Sequence, residues 1–583
     1  MTKKRKMSGI WKWIIVSFLS LFLLVGAAVM YFSVKWKPRI TKRIKTEVYN
    51  GSHHLYKIDF KDIHLNILLG NVTLDTLTLI PDTAEFRMLR DYGLAPSNIF
   101  QVKLAHLKIS GVSILKAYFK KKIDISSILL DQPSVHMIHN DVARKKKEEG
   151  PSLFEMLSGT FKSVHVGQIK MNNADIDYIS GTNWEKLHQI RHFNLRVEDL
   201  LLDSASRHDP ARFYYAKDVA FELFGYSALS KDKMYTMKID TLRGSATGGM
   251  LKIRGLKMIP MYSELEFTRK YKVQKDRYNL DFSALDFKGL NFTRLDDEGR
   301  LHASSLQIGP GKAAVFMNRE LPPPSFDKGR NYPHIALQRL PLQLLIDTVQ
   351  LDHIDVAYTE YNPIAKEKGT VKLDHLHGQL LNITNDTLQL PKKNHAYADL
   401  RTRIMKAADL HVKIDFNLED KNGAFHYSGN VGPMDMVALN PLAKSLGLVK
   451  IEQGKVQKAD FDIQANLQGS KGTMHFYYKD LKVSLLKEGE DGAPAKKRGF
   501  LSFLANKLVI IDANPSEGKA LRTANIVFQR SPAASFFNLL WKGVFVGMRE
   551  TIGIGMVEVK SPEKAYEKVK EKKKQRLEKK TKG

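Results

Sequence analysis

Two stretches of this chain, Val166-Gly-Gln-Ile-Lys-Met-Asn-Asn-Ala-Asp-Ile-Asp-Tyr178 and Ile346-Asp-Thr-Val-Gln-Leu-Asp-His-Ile-Asp-Val-Ala-Tyr358, align without a gap. Each carries apolar residues spaced by two, a polar pair, and then apolar residues spaced by two again. Weaker copies run from Leu104 to Lys116, from Ile125 to Met137 and from Phe282 to Phe292, with Ile63-His-Leu65 and Val72-Thr-Leu74 as a looser one. Repetition of this kind points to a long, repetitive, one-sided β-structure rather than a globular catalytic core. Alternation puts Ile169 and Met171 on one strand face, followed by Ala174, Ile176 and Tyr178; Val349 and Leu351, then Ile354, Val356 and Tyr358, hold the same places in the second repeat. The phase slips at Asn172-Asn173. Either a two-residue hairpin turn or a β-bulge there brings both apolar sets to one face of the sheet. That face is apolar and the other carries Lys, Asp, Asn and His. Pattern alone leaves open whether the apolar face is a filled sandwich core or the lining of a groove.

Composition narrows the class. The chain has 583 residues, enough for several domains, yet no long amphipathic helices alternate with the strands, which argues against doubly wound and barrel α/β enzymes. It has no cysteine, which removes disulfides, thiol nucleophiles and Cys-ligated metal sites together. Residues Trp13 to Val34 contain no charged side chain and as a helix would span about 33 Å, the thickness of a bilayer's hydrocarbon core. Trp11, Trp13 and Trp36 stand where interfacial aromatics belong. Basic residues flank the span on both sides, so charge leaves its orientation nearly balanced. A short basic cytoplasmic tail, 1–12, a membrane anchor, 13–34, and export of the remainder form the usual arrangement. The net charge of +29 would suit nucleic acid in a soluble protein. Here the basic residues are scattered on polar strand faces and gathered at the two ends, which suits anionic lipid head groups instead and predicts no nucleic-acid partner.

Polar and Pro-rich breaks at Ala143–Gly150, Leu321–Gly329 and Glu488–Pro494 interrupt the pattern, which resumes after each. A short helix is expected at Pro151–Leu157. The breaks delimit β segments at 35–140, 151–320 and 334–530. An amphipathic helix at 531–550 follows, carrying Phe536, Phe537 and Trp541, and then a basic tail, 551–583. The helix has two readings: a membrane-interface element, or a cap that closes the end of the sheet.

The search for chemistry is thin. Gly309-Pro-Gly-Lys-Ala313 lacks the first Gly and the Ser or Thr of a phosphate loop. His375 and His377 have a spacing that could ligate zinc, but no third ligand is evident. No Ser-His-Asp arrangement or Gly-x-Ser-x-Gly elbow stands out. The expectation is a non-enzyme with no catalytic residue, metal or cofactor.

The anchor followed by Ile63-His-Leu-Asn-Ile-Leu-Leu-Gly-Asn-Val-Thr-Leu74, the Ile346–Glu360 repeat leading to Gly369-Thr-Val-Lys-Leu373 and Leu381-Asn-Ile-Thr-Asn385, and Met434-Asp-Met-Val-Ala-Leu-Asn-Pro-Leu442 with Gly454-Lys-Val456 and Asp460-Phe-Asp-Ile463 resemble the AsmA-like superfamily. The resemblance covers most of residues 10–550 and is one of pattern. It implies a mainly β fold: an N-terminal transmembrane helix, then an elongated, curved, repetitive antiparallel β-groove with short helices and a C-terminal amphipathic helix. It also implies a single-pass inner-membrane protein with its bulk in the periplasm, bridge-like transfer of phospholipid or another acyl lipid, support of outer-membrane lipid homeostasis, and contact with the outer membrane or envelope proteins. The ten apolar residues of the two repeats would line the groove. The alternative is a periplasmic scaffold that assists outer-membrane protein assembly through a strand edge.

Overall fold

The computed structural model describes residues 37–553, apart from 67–68, 94, 141–160, 207–208, 210, 364–365, 448, 488–495 and 498–509. The expected anchor, Trp11, Trp13, Trp36, the helix at 151–157 and most of the basic C-terminal tail lie outside the described residues. The described chain is mainly β. It forms two compact units, one made of the described residues up to Leu256 with Asp286–His302 and the other of Lys257–Leu285 with the described residues from Ala303 onward.

In the first unit, helix α1 (Lys37–Gly51) turns Ile44 and Val48, one helical turn apart, onto Ile58 and Phe60. Strands β1 (Tyr56–Asp59) and β2 (Asp62–Asn66) both pair antiparallel with β3 (Asn71–Pro81). Helix α2 (Thr83–Asp91) then starts at Asp82, whose carboxylate accepts from the N–H groups of Ala84 and Glu85. Next come β4 (Asn98–Ser110), a short helix α3 (Ile114–Lys120), β5 (Lys122–Asp131), β6 (Ser134–His139), β7 (Ser163–Ser180) and β8 (Lys186–Leu202). Alternate residues of β3, β4, β5 and β7, among them Leu74, Leu107, Ile128 and Val166, are buried in one cluster. Five further strands follow, β9 (Asp218–Leu223), β10 (Gly225–Leu229), β11 (Tyr235–Ile239), β12 (Thr241–Ser245) and β13 (Met250–Pro260).

The second unit centres on a run of hydrogen-bonded neighbours. Strands β14 (Arg277–Lys288) and β15 (Arg300–Ile308) precede β16 (Gly311–Asn318), β17 (Gln343–Asn362), β18 (Glu367–Thr384), β19 (His395–Ile404), β20 (Ala408–Asn417) and β21 (Phe425–Val431). After β22 (Met434–Asp435) and helix α4 (Asn440–Gly447) come β23 (Val449–Ala465), β24 (Gly469–Lys487), β25 (Lys496–Lys497) and β26 (Thr523–Gln529). The order β17-β18-β19-β20-β21-β23-β24-β26 is antiparallel throughout.

One expectation needs correction, and one choice left open by the sequence is decided. The sheet is not wholly antiparallel, because β5 and β6 run parallel to β7, and β16 runs parallel to β17. Parallel neighbours need a crossover. The break at 321–329 lies in the one between β16 and β17, while 141–150, outside the described residues, falls in sequence between β6 and β7. They join strands that pair with each other and do not separate compact units.

The phase slip in each repeat is a bulge inside one long strand, not a hairpin turn. Met171 faces Leu195 and Ala174 faces Phe193; Leu351 faces Gly378 and Ile354 faces Leu376. In each case two partners two apart are matched by residues three apart, so the extra residue is absorbed and the apolar set keeps its face. The residue that absorbs it is left-handed, Asn173 at φ 54° and its equivalent His353 at φ 49°. Each neighbouring strand has its own left-handed histidine, His192 at φ 49° in β8 and His375 at φ 53° in β18. The amide of His192 donates to Asp175 Oδ1 at 3.0 Å, and that of His375 to Asp355 Oδ1 at 3.0 Å. These aspartates are equivalent in the two repeats. Each holds the left-handed turn of the next strand.

Replacing Asp355 by Ala removes the acceptor for the His375 amide and should cost roughly 1 kcal/mol of local stability. Amide hydrogen exchange checks this. The His375 N–H should exchange several-fold faster in Asp355→Ala, and near the wild-type rate in Asp355→Asn, whose side-chain oxygen can still accept. Unchanged protection in the alanine variant would mean that the carboxylate does not hold the turn.

Candidate functional site

A cavity of the second unit lies between the sheet and helix α5 (Phe536–Thr551). Ser535 begins this helix, its Oγ accepting from the Asn538 N–H at 3.3 Å. The helix comes very close to the strands because two glycines face them. A Cβ on Gly543 would stand 2.4 Å from Tyr427 Oη, and one on Gly547 2.8 Å from Met474 Sδ. Leu539 is fully buried with Tyr427, Phe461, Ile463, Phe476 and Ile526.

Where the helix stands off the sheet it leaves a cavity of about 310 Å³, at the lower end of the range for small-molecule sites. Leu410, Val412, Phe461 and Leu481 line it from the strands, Leu439 and Ala443 from the α4 segment, and Phe537, Trp541, Val544 and Met548 from α5. Arg549 is the one charged residue among the described lining residues. Trp541 Nε1 is buried with no hydrogen-bond partner. Such a space gives water little to bond to and gives hydrocarbon a dry surface.

Beside the cavity, a buried polar network ties α5 to β17. Glu360 is fully buried in an ion pair with Arg319, which is itself 3% exposed. Its Oε1 accepts from the Tyr358 hydroxyl at 2.8 Å and from Asn538 Nδ2 at 3.2 Å. Burial pushes the Glu360 carboxyl up, but Arg319, then Lys542 of α5 and the two hydrogen bonds outweigh it, so the group lies below its ordinary value of 4.5. Tyr358 is raised well above its ordinary value, first by burial and then by the neighbouring Glu360 charge. Arg530, just ahead of α5, adds a second tie through Asp327, with one contact at 2.6 Å.

The structure places the sequence-derived residues in two groups. In β7, Ala174 is fully buried, Ile169 and Met171 pack against the first unit's core, and Ile176 and Tyr178 are half-buried. In β17, Val349, Ile354 and Tyr358 are buried, with Leu351 and Val356 half-buried. None of these ten lines the cavity. Tyr358 comes nearest, its ring stacked on Phe537 with centroids 5.0 Å apart. The cavity uses later strands instead, since its position depends on where a helix leaves the sheet, and strand alternation cannot show that. The gathering of Phe537, Leu540, Trp541 and Val544 on one helical side was the available signal.

The same packing decides how α5 is used here. Phe536 packs on Tyr332 at 5.4 Å and on Phe425 at 5.3 Å, and Trp541 on Phe545 at 5.6 Å. The apolar side of the helix therefore covers the sheet. Phe536, Phe537 and Trp541, expected as membrane-interface residues, are half-buried here, Phe536 against the sheet and Phe537 and Trp541 along the cavity. Among the described residues no helix is long and apolar enough to cross a membrane, and no group of three or more His, Cys, Asp or Glu could hold a metal ion. Gly309–Ala313, weighed as a phosphate loop, leads into β16, and Gly309 lies against the Asp352 carbonyl at the β17 bulge. No family model matches this chain, and no curated protein matches it.

Two outcomes follow from Glu360. Glu360→Gln leaves Arg319 buried without its counter-charge and should destabilise the second unit by about 3–5 kcal/mol at neutral pH, read by denaturant unfolding followed with a probe on α5. Since the folded carboxyl lies below 4.5, its contribution is fully present above that pH and lost as the pH falls through the folded value. The gap between wild type and Glu360→Gln should therefore narrow below pH 4.5. A gap that stays constant down to strong acid would show that the charge of Glu360 is not what holds the helix.

Proposed function

We propose that this protein is a membrane-anchored, non-enzymatic carrier of acyl lipid in a bacterial-type cell envelope, held by a single inner-membrane span with its β-rich bulk in the periplasm. The observation that carries this reading is the cavity of about 310 Å³ under α5, whose described lining is apolar apart from Arg549 and the polar edges of Tyr427 and Trp541. Burying a methylene there is worth about 0.8 kcal/mol, the same order as in a bilayer, so a chain could move between the two without a large energetic step. Trp541 Nε1 and Arg549 offer donors to an ester, carboxylate or phosphate oxygen at one end of such a chain. The single-sided apolar faces of β7 and β17, the uncharged stretch 13–34 and the resemblance to AsmA-like proteins support the same reading. Supply of phospholipid toward the outer membrane is the role that fits an anchored carrier of this kind.

In this reading α5 occupies the place that a lipid chain would extend into, and uptake requires the helix to lift from part of the sheet. The two glycines bring it close, and polar contacts hold it at both ends, Asn538 on Glu360 at one and the Thr551 and Ile552 carbonyls accepting from Arg522 and Ile511 at the other.

Native mass spectrometry of the full chain released from membranes tests the reading. Wild type should carry acyl lipid, and Ala443→Trp, which fills the cavity from the α4 side, should lose most of it while the protein still folds. A chain without acyl lipid, or an Ala443→Trp variant carrying as much as wild type, would defeat the assignment of this cavity.

A further inference from the structure

The far end of the first unit's sheet carries an unusual hairpin tip. Asn66 faces Asn71 across β2 and β3, so the connecting residues are Ile67, Leu68, Leu69 and Gly70. Tight turns favour Gly, Asn, Asp and Pro for backbone reasons, and nothing in turn geometry calls for a leucine at position 69. Leu69 is 63% exposed. The next connection lies directly beside it: the Val112 N–H donates to the Gly70 carbonyl at 3.0 Å, and the Gly111 N–H to Asn71 Oδ1 at 3.0 Å. Helix α3 starts two residues later and is only about 10 Å long. Its Phe119 therefore stays at the same end of the sheet, where it is 75% exposed.

Cations gather beside Phe119 at this end of the sheet. Lys120, Lys121 and Lys122 are exposed at the end of α3, and exposed Lys162 joins them, its N–H donating to the Lys121 carbonyl at 2.8 Å. The nearby carboxylate of Asp124 is already engaged by Lys116 and His165. Scattered exposed apolar residues need no explanation. An exposed leucine at a hairpin tip and an exposed aromatic, at a sheet end that also carries four exposed lysines, is a different pattern. Protein-binding surfaces are depleted in lysine at their centres, whereas an anionic bilayer takes apolar tips into its acyl boundary and lysines at its phosphates.

We propose that this end of the first unit seats on an anionic lipid surface, with Leu69 and Phe119 entering the acyl boundary and Lys120, Lys121, Lys122 and Lys162 at the head-group phosphates. The contact is a second, peripheral attachment and does not rest on the cavity of the other unit. It would hold the sheet end against the membrane even when the anchor alone permits it to swing.

The absence of cysteine makes site-specific labelling direct. Full-length Leu69→Cys and Phe119→Cys would each carry an environment-sensitive fluorophore and be reconstituted in vesicles of phosphatidylcholine and phosphatidylglycerol with brominated acyl chains. Tyr92→Cys, also exposed but beyond α2 at the opposite end of β3, serves as reference. Emission at positions 69 and 119 should fall about twofold or more, with little change at 92, and should recover in neutral vesicles, in high salt, or when Lys120, Lys121 and Lys122 are changed to Glu. Unquenched labels at 69 and 119, equal quenching at all three positions, or quenching indifferent to head-group charge would overturn the proposal. So would crosslinking of the two positions to a protein in place of lipid. Lipid content by native mass spectrometry is read separately, so failure here leaves the cavity assignment standing.

Discussion

A strand has a side-chain period of two, and a slip of one residue exchanges its faces. Long strands such as β7 and β17, at 18 and 20 residues, could not stay in a twisted sheet without some accommodation of register. Here the accommodation is a left-handed residue, Asn173 or His353, which takes up the extra residue and returns the apolar set to its original side. The cost of placing a non-glycine residue there is offset by hydrogen bonds that the repeat itself supplies. Asn173 N–H donates to Asn194 Oδ1 at 2.8 Å, and the equivalent aspartates 175 and 355 bind the left-handed histidines of the adjacent strands. One-sidedness in both units depends on this device. Without it the apolar residues beyond each bulge would face water.

The second unit adds a constraint of another kind. Its apolar sheet face is broad, and α5 covers only part of it, so the remaining gap becomes the cavity. Hydrophobic contact holds the helix on the face but does not set its position along it. Directional groups do that: Glu360 binds Arg319, Tyr358 and Asn538 from one buried carboxylate, and Arg530 binds Asp327 just before the helix begins. A buried ion pair contributes little net stability, yet separating its partners is expensive. The far end of the helix is tied as well, the Thr551 carbonyl accepting from Arg522 Nε at 3.3 Å and the Ile552 carbonyl from the Ile511 N–H at 3.1 Å. An element tied in this way keeps its register on the sheet at both ends.

The polar side of the sheets has its own organisation. Cross-strand His–Asp pairs recur on it, including His106 with Asp75 at 2.9 Å, His165 with Asp124 and Asp199, and His411 with Asp399 at 2.7 Å. These exposed pairs are modest in energy. They also explain why histidines that looked like candidate ligands in sequence are strand-face residues: His375 is placed by its backbone at a register shift, and the ring of His377 bonds the His375 carbonyl at 2.9 Å.

The sequence by itself determined the mainly β class, the internal repeat, the single apolar face in each copy and the uncharged stretch at 13–34, because these depend on period and composition, which are local. It also exposed the slip at Asn172-Asn173, although a turn and a bulge produce the same apolar pattern. Tertiary structure decided between them, since only the partner strand shows whether the chain reverses or continues. It likewise decided that 141–150 and 321–329 connect parallel neighbours, that the aromatics of α5 face the sheet, and that the cavity is built from Leu410, Val412, Phe461 and Leu481 and not from the repeat residues. Glu360 and Arg319 could not be singled out in sequence, for they lie 41 positions apart. Their meeting is set by the parallel register of β16 and β17, and that register is a property of the folded sheet alone.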